Sequence, residues 1–251
     1  MKNIIYQVDA FSESVFTGNP AGVMLLEKNL PSEKMQKIAN EMNLSETAFV
    51  KTSSKPFQIR FFTPTVEIPL CGHATLASAH ILFENEIVKK NETIDFNSNE
   101  GVISVSYDEK GIKMILPKFD FKKARHIDKF ESIVGFSPTE TYSTKNNWII
   151  AIAKNEQEII DASPSFNEMI QNGIGHLIIT SLSNQENIDI VLRCFAPASG
   201  IDEDPVTGSA QCGLIPVWNS KTGITKFEVE QVSKRTGKLS VKLIDEGVVR
   251  V

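Results

Sequence analysis

Short runs in which apolar and polar residues alternate dominate the chain, and they predict strands over Ile4–Val8, Ala21–Leu26, Thr47–Val50, Phe57–Phe62, Val102–Tyr107, Ile112–Leu116, Trp148–Ala153, His176–Ser181 and Ile188–Phe195. Asp108 to Gly111 lies between Val102-Ile-Ser-Val-Ser-Tyr and Ile112-Lys-Met-Ile-Leu, and its polar, Gly-ended chemistry makes those two runs an antiparallel hairpin. Helical spacing is rarer. Met35, Ile38, Ala39 and Met42 recur at three and four, which predicts a helix capped by Ser32 and ending near Asn43. Ser163-Pro164 opens a second helix and Gly173 closes it.

Two further helical segments have no polar face: Ala74-Thr-Leu-Ala-Ser-Ala-His-Ile-Leu-Phe and Ser209-Ala-Gln-Cys-Gly-Leu-Ile-Pro-Val-Trp. A helix that is apolar all round is buried. Pro216 should end or bend the second one after about two turns, because its ring removes an N–H and crowds the preceding turn.

The pattern also repeats at half the chain length. Arg60-Phe-Phe-Thr-Pro laid on Arg193-Cys-Phe-Ala-Pro, 133 positions further on, matches as Arg-x-Phe-x-Pro. At the same offset Ile68 meets Ile201 and Cys71 meets Asp204. Each motif is followed by a Gly/Thr/Ser segment that opens one of the buried helices, so the two halves read as copies of one unit. A plain strand, turn and buried helix met twice is the alternative.

Composition narrows the function. The chain has 251 residues and 41% hydrophobic content, enough for one large domain or two modest ones, and the repeat favours two. With 26 basic against 31 acidic residues, a net charge of −5, it shows no electrostatic footprint for nucleic acid or an anionic membrane, and a small-molecule partner fits better. The basic stretch Lys118–Arg125 reads as a solvated face. No leader-like apolar run opens the chain and none approaches the ~18 residues of a membrane span, so a cytoplasmic setting is expected. Cys71, Cys194 and Cys212 are an odd set without Cys-x-x-Cys pairing, and suggest neither disulfides nor a zinc site.

Chemistry concentrates at the two Gly-containing turns. The first N–H groups of a helix lack intrahelical partners and carry the positive end of its dipole. Cys71-Gly-His-Ala-Thr75 and Asp204-Pro-Val-Thr-Gly-Ser209 each offer such an end, with Gly72 and Gly208 leaving the backbone open to an anion. Walker, Rossmann and Gly-x-Ser-x-Gly patterns are absent, and Cys71 with His73 lacks the further ligands of a zinc site. His73, Asp204 and Glu46 sit at or near these turns; each alone has an ordinary structural use, but as a set they resemble an acid/base apparatus. A carboxyl group in an apolar pocket can take a proton and return it, which is what an isomerisation needs. A thiolate at Cys71, beside a histidine and a helix start, is a rival base. Cys194 and Cys212 read as packing residues, and His80, His126 and His176 receive no role.

These residues carry a family resemblance. Asp9-Ala-Phe, Gly18-Asn-Pro-Ala-Gly-Val23, Leu44-Ser-Glu-Thr-Ala-Phe49, Arg60-Phe-Phe-Thr-Pro, Cys71-Gly-His-Ala-Thr-Leu-Ala77, Arg193-x-Phe-Ala-Pro, Glu203-Asp-Pro-Val-Thr-Gly-Ser-Ala210 and Gln231-x-x-x-Arg-x-Gly-x-Leu run nearly end to end. Together they resemble the PhzF-like isomerases, within the diaminopimelate-epimerase-like fold. The resemblance implies an α+β protein of two pseudo-symmetric domains, 1–117 and 118–251, each a mixed β-sheet rolled into a barrel around a central helix, after Gly72 and after Thr207, with the last strand crossing back to the first domain. It places the catalytic glutamate on Glu46 and substrate contacts on Ser45, Gly72, His73, Asp204, Gly208 and Ser209. It implies proton transfer on a small anionic metabolite with no metal or organic cofactor, in a homodimer. A non-catalytic metabolite-binding protein of the same fold and a two-base racemase using Cys71 remain the alternatives; the paired thiols of the epimerase branch map here to Cys71 and Asp204.

Overall fold

The computed structural model describes residues 4–12, 14–109, 111–124, 127–144, 147–244 and 248–250. Two compact units divide the chain, Met1–Ile115 and Leu116–Val251.

In the first unit the order is β1 (Ile5–Ala10), β2 (Asn19–Leu26), α1 (Ser32–Met42), β3 (Glu46–Lys51), β4 (Phe57–Phe62), β5 (Glu67–Ile68), α2 (Gly72–Glu84), β6 (Ile94–Ser98), β7 (Gly101–Asp108) and β8, which runs over Gly111–Pro117. The sheet is mixed. β2 runs parallel to β3 and β4 parallel to β6, while the β1/β2, β3/β4, β6/β7 and β7/β8 pairs are antiparallel. The expected hairpin is present, with Tyr107 opposite Ile112. α1 packs Met35 and Ala39 against Met24, Leu26, Phe49 and Phe62. From Gly72 to Ala79 every residue of α2 is buried, and the helix lies against β1, β2 and β3. Strand β3 is therefore covered on both faces, which is why Glu46 to Val50 is buried without alternation. Each large apolar side chain so enclosed contributes about 1.5–3 kcal/mol.

The second unit repeats this plan: β9 (Phe121–Lys123), α3 (Phe130–Val134), β10 (Glu140–Thr144), β11 (Ile149–Ile152), α4 (Glu156–Asp161), α5 (Phe166–Gln171), β12 (Leu177–Leu182), β13 (Ile190–Ala196), a 3₁₀ turn at Pro197–Ser199, β14 (Ile201–Asp204), α6 (Gln211–Thr222), β15 (Lys226–Gln231), β16 (Gly237–Leu243) and β17 (Val248–Arg250). Again the second and third core strands, β11 and β12, are parallel, as are β13 and β15. The parallel partner pairs Phe57/Phe96 and Ile190/Val229 are themselves 133 positions apart, so the duplication extends through the sheet.

The repeat register, however, shifts by three within the motif. Phe61 pairs with Ile68, whereas Cys194, 133 positions beyond Phe61, pairs with Asp204, 136 beyond Ile68. The 3₁₀ turn takes up the extra residues. Asp204 is thus the counterpart of Ile68, Thr207 that of Cys71, and Gly208 that of Gly72, which corrects the constant offset expected from sequence.

Other boundaries moved for local reasons. Pro31, not Ser32, precedes the first turn of α1, and the Ser32 hydroxyl accepts a hydrogen bond from Arg60 Nη2 at 2.9 Å. α5 starts at Phe166, two residues after Pro164, with Ser165 at its N-cap. α6 begins at Gln211, because residues 208–210 form a turn first.

Pro216 neither ends nor breaks α6, which continues to Thr222 and closes on Gly223 with φ 72°. The carbonyl that Pro216 leaves without its helical donor belongs to Cys212, and it accepts the Phe119 N–H at 2.9 Å. Trp218 Nε1 donates to Thr180 Oγ1 of β12 at 3.2 Å, and a side chain at Gly213 would strike Thr144 and Ile150, so the unit's sheet closes around this helix. Lys118, Lys122 and Lys123 are exposed, as a solvated basic face requires; Arg125 and His126 lie outside the described residues.

Candidate active site

In the first unit the starts of β2, β3 and α2 converge. β2 and β3 are parallel, with Ala21 opposite Glu46, so Asn19 and Glu46 sit at the same end of the sheet. Gly18 turns the chain into β2 at φ +74°, and a Cβ there would lie 2.3 Å from the Ala10 carbonyl oxygen, so only glycine fits. Cys71 is the N-cap residue of α2 and His73 lies in its first turn.

His73 Nε2 stands 3.2 Å from Glu46 Oε2, with the two side chains 5% and 8% exposed. On the other side of the ring, Nδ1 is 3.2 Å from Asn19 Nδ2 and 3.4 Å from Cys71 Sγ. Asn19 is fully buried, and its Oδ1 accepts from the Ser45 hydroxyl at 3.1 Å. Burial pushes the His73 pKa down to about 3, and its place in the first turn of a helix also disfavours a cation. The pair is therefore a neutral imidazole against a carboxyl group and not an ion pair.

Glu46, Cys71 and His73 bring one O, one S and one N donor within 4.8 Å of each other, a cluster that sequence spacing did not reveal because Glu46 comes from a different strand. Cys71 approaches the ring at Nδ1 and Glu46 at Nε2, so the two contact different ring nitrogens. An Asn N–H directed at Nδ1 is also the reverse of the usual metal-bound histidine, whose free nitrogen donates to an acceptor. The arrangement suits proton transfer along the ring better than a shared ion.

In the second unit Asp204 ends β14 and Thr207 Oγ1 donates to its Oδ2 at 2.5 Å. Gln231, fully buried, spans the turn: its Oε1 accepts from Thr207 N–H at 2.8 Å and its Nε2 donates to the Asp204 carbonyl at 2.6 Å. Gly208 and Ser209 follow in the turn that starts α6, whose amides at Gln211 and Cys212 donate back to Gly208 and Ser209 carbonyls. Glu46, His73, Ser45 and Gly72 are thus assembled in one unit and Asp204, Gly208 and Ser209 in the other. Asn19, Thr207 and Gln231 had no assigned role from sequence, although all three lie inside motifs that stood out there.

The remaining cysteines are inert. Burial and the nearby Asp204 charge raise the Cys194 thiol well above its usual range, and burial takes Cys212 to about 12. His80 is exposed, and His176 makes a 2.9 Å contact with Ser199 Oγ and stacks on Trp148.

An α+β chain of two similar units, each packing a mixed sheet on a buried helix, is an epimerase-like fold. A protein described as a predicted epimerase from Pseudomonas aeruginosa shares this fold, with a TM-score of 0.77 at 17% identity over 99% of this chain and 94% of that one. The family model for phenazine biosynthesis-like proteins matches residues 8–251, and the chain belongs to that PhzF family of isomerases. An uncharacterised isomerase of Halalkalibacterium halodurans is 40% identical across 97% of this chain and 92% of its own. A PhzF-family crystal structure from Enterococcus faecalis superposes with a TM-score of 0.91 at 36% identity, covering all of this chain and 94% of that one.

Proposed function

We propose that the protein shifts a proton on a small carboxylate-bearing metabolite without metal or organic cofactor, with Glu46 as the group that removes the proton from carbon and returns it. The observation that carries this reading is the buried Glu46–His73 pair at 3.2 Å. A carboxylate kept from water gains basicity, and a neutral imidazole beside it can lend or take a proton without leaving a buried cation. Asp204 orients the substrate or moves a second proton. Ser45 and Ser209 supply hydroxyls, and the backbone at Gly72 and Gly208, where no Cβ intervenes, supplies donors for the substrate carboxylate. The thiol-pair racemase is less well supported, since the counterpart of Cys71 in the second unit is Thr207.

Incubation with a pool of small carboxylates and amino acids in D₂O, followed by mass detection, tests the proposal. Deuterium entering one compound with the native protein, and not with Glu46→Gln, is the expected result. Equal labelling by both proteins would sink the role of Glu46, and no label in any compound would point to a binding protein.

A further inference from the structure

We infer that Asn19 is a positioning residue that sets the His73 tautomer, and through it decides which member of the Glu46–His73 pair holds the proton at rest. This rests on the reading of Glu46 as the working base, but its decisive test does not.

The argument follows the donors. An amide nitrogen has hydrogens and no lone pair to offer, so Asn19 Nδ2, 3.2 Å from His73 Nδ1, requires that ring nitrogen to accept. A neutral imidazole that accepts at Nδ1 carries its hydrogen at Nε2, and Nε2 faces Glu46 Oε2 at 3.2 Å. In the resting geometry His73 Nε2 makes no aligned hydrogen bond to that oxygen, but an Nε2–H facing the carboxyl group at this distance calls for an ionised acceptor there, as a base must be before turnover. The Cys71 thiol lies 3.4 Å from the same nitrogen, a contact compatible with that tautomer.

Turning the Asn19 amide over would reverse every step. An oxygen at Nδ1 would call for Nδ1–H, Nε2 would become the acceptor, and Glu46 would hold the proton and start as an acid. In the observed orientation the Ser45 hydroxyl donates to Asn19 Oδ1 at 3.1 Å, and a reversal would oblige that hydroxyl to turn and accept instead. Asn19 itself is fully buried at the first position of β2, entered through the Gly18 turn, where its side chain has no water to exchange partners with. The hydrogen bonds from Ser45 to Asn19 and from Asn19 to His73 therefore run in the same direction, towards Nδ1.

Nitrogen-15 NMR of histidine-labelled full-length protein reads the tautomer directly, with His73→Gln supplying the assignment. The native protein is expected to show Nε2–H at His73. Asn19→Asp, which places a carboxylate against Nδ1, is expected to show Nδ1–H, with kcat reduced at least ~10-fold and KM little changed. A structural role alone would lower thermal stability and leave the tautomer as it was. An Nδ1–H signal in the native protein, or an unchanged tautomer in Asn19→Asp, overturns the inference. If Asn19→Asp fails to fold, Ser45→Ala and the native spectrum still decide, since freeing the amide should populate both tautomers. An active Glu46→Gln with the expected native tautomer would remove the proposed function and leave this inference standing.

Discussion

The two units are built from one plan, yet they keep different chemistry at equivalent places. Counting from the paired strands, where Thr47 opposes Phe62 and Leu177 opposes Phe195, Glu46 corresponds to His176; at the helix start Cys71 corresponds to Thr207 and His73 to Ser209. The first unit thus retains a buried titratable pair, and the second a hydrogen-bonded turn around Asp204 in which Gln231 satisfies the backbone. What both retain is the clamp beneath the turn: Arg60 grips Glu67 through Nε and Nη2 at 2.8 and 2.6 Å, and Arg193 grips Glu203 at 2.7 and 2.9 Å, each guanidinium lying 5.1 Å from a phenylalanine ring. Duplication has preserved the scaffold that holds a helix start in place and let the side chains at its tip diverge.

The sharpest way to break that comparison is to exchange chemistry at equivalent positions. Glu46→Gln should reduce turnover by at least ~100-fold with folding intact, while His176→Gln, its counterpart, should leave kcat within about threefold. Comparable losses in a steady-state assay would mean that both units carry chemistry.

Acid should separate the units next. His73 has its folded pKa at about 3 against 6.5 unfolded, so the unfolded chain binds this proton first. Its stabilising contribution is complete above pH 6.5 and is lost as pH falls towards 3, by at most about 5 kcal/mol. Denaturant melts at pH 7 and pH 4.5 should show a smaller loss for His73→Gln than for the native protein.

The clamps come third. Arg193 also donates from Nη1 to the carbonyls of Ile159 and Ala162 at 3.2 and 2.7 Å, beside the end of α4. Arg193→Ala should therefore cost about 3 kcal/mol and Arg60→Ala about 1.5 in equilibrium unfolding. Smallest of all, Cys71→Ser should keep kcat within about threefold, since a hydroxyl can still donate to Nδ1; complete loss would restore the thiol as a base.

Much of this could be read from residue order. Period-two runs located β1–β4, β7, β8 and β11–β13 but not β6 or β10, and the absence of a polar face marked α2 and α6 as central. Strands β15 and β16 escaped: Lys226–Gln231 buries only Phe227, Val229 and Gln231 between charged residues, a pattern too sparse to stand out. The site was legible as motifs but not as contacts. Asn19 and Glu46 are 27 positions apart and reach His73 from the same end of the sheet only because β2 and β3 are parallel. The three-residue shift was hidden because the 3₁₀ turn carries no signal stronger than a proline.

The Phe119–Cys212 hydrogen bond bears on any attempt to express the second half alone. A fragment starting after Phe119 would lack the amide that answers the carbonyl orphaned by Pro216, in the stretch of α6 from Gln211 to Trp218 where every residue is buried. The shortest viable cut therefore lies upstream of Lys118, and the few residues that look like a linker belong, for dissection or circular permutation, to the second half.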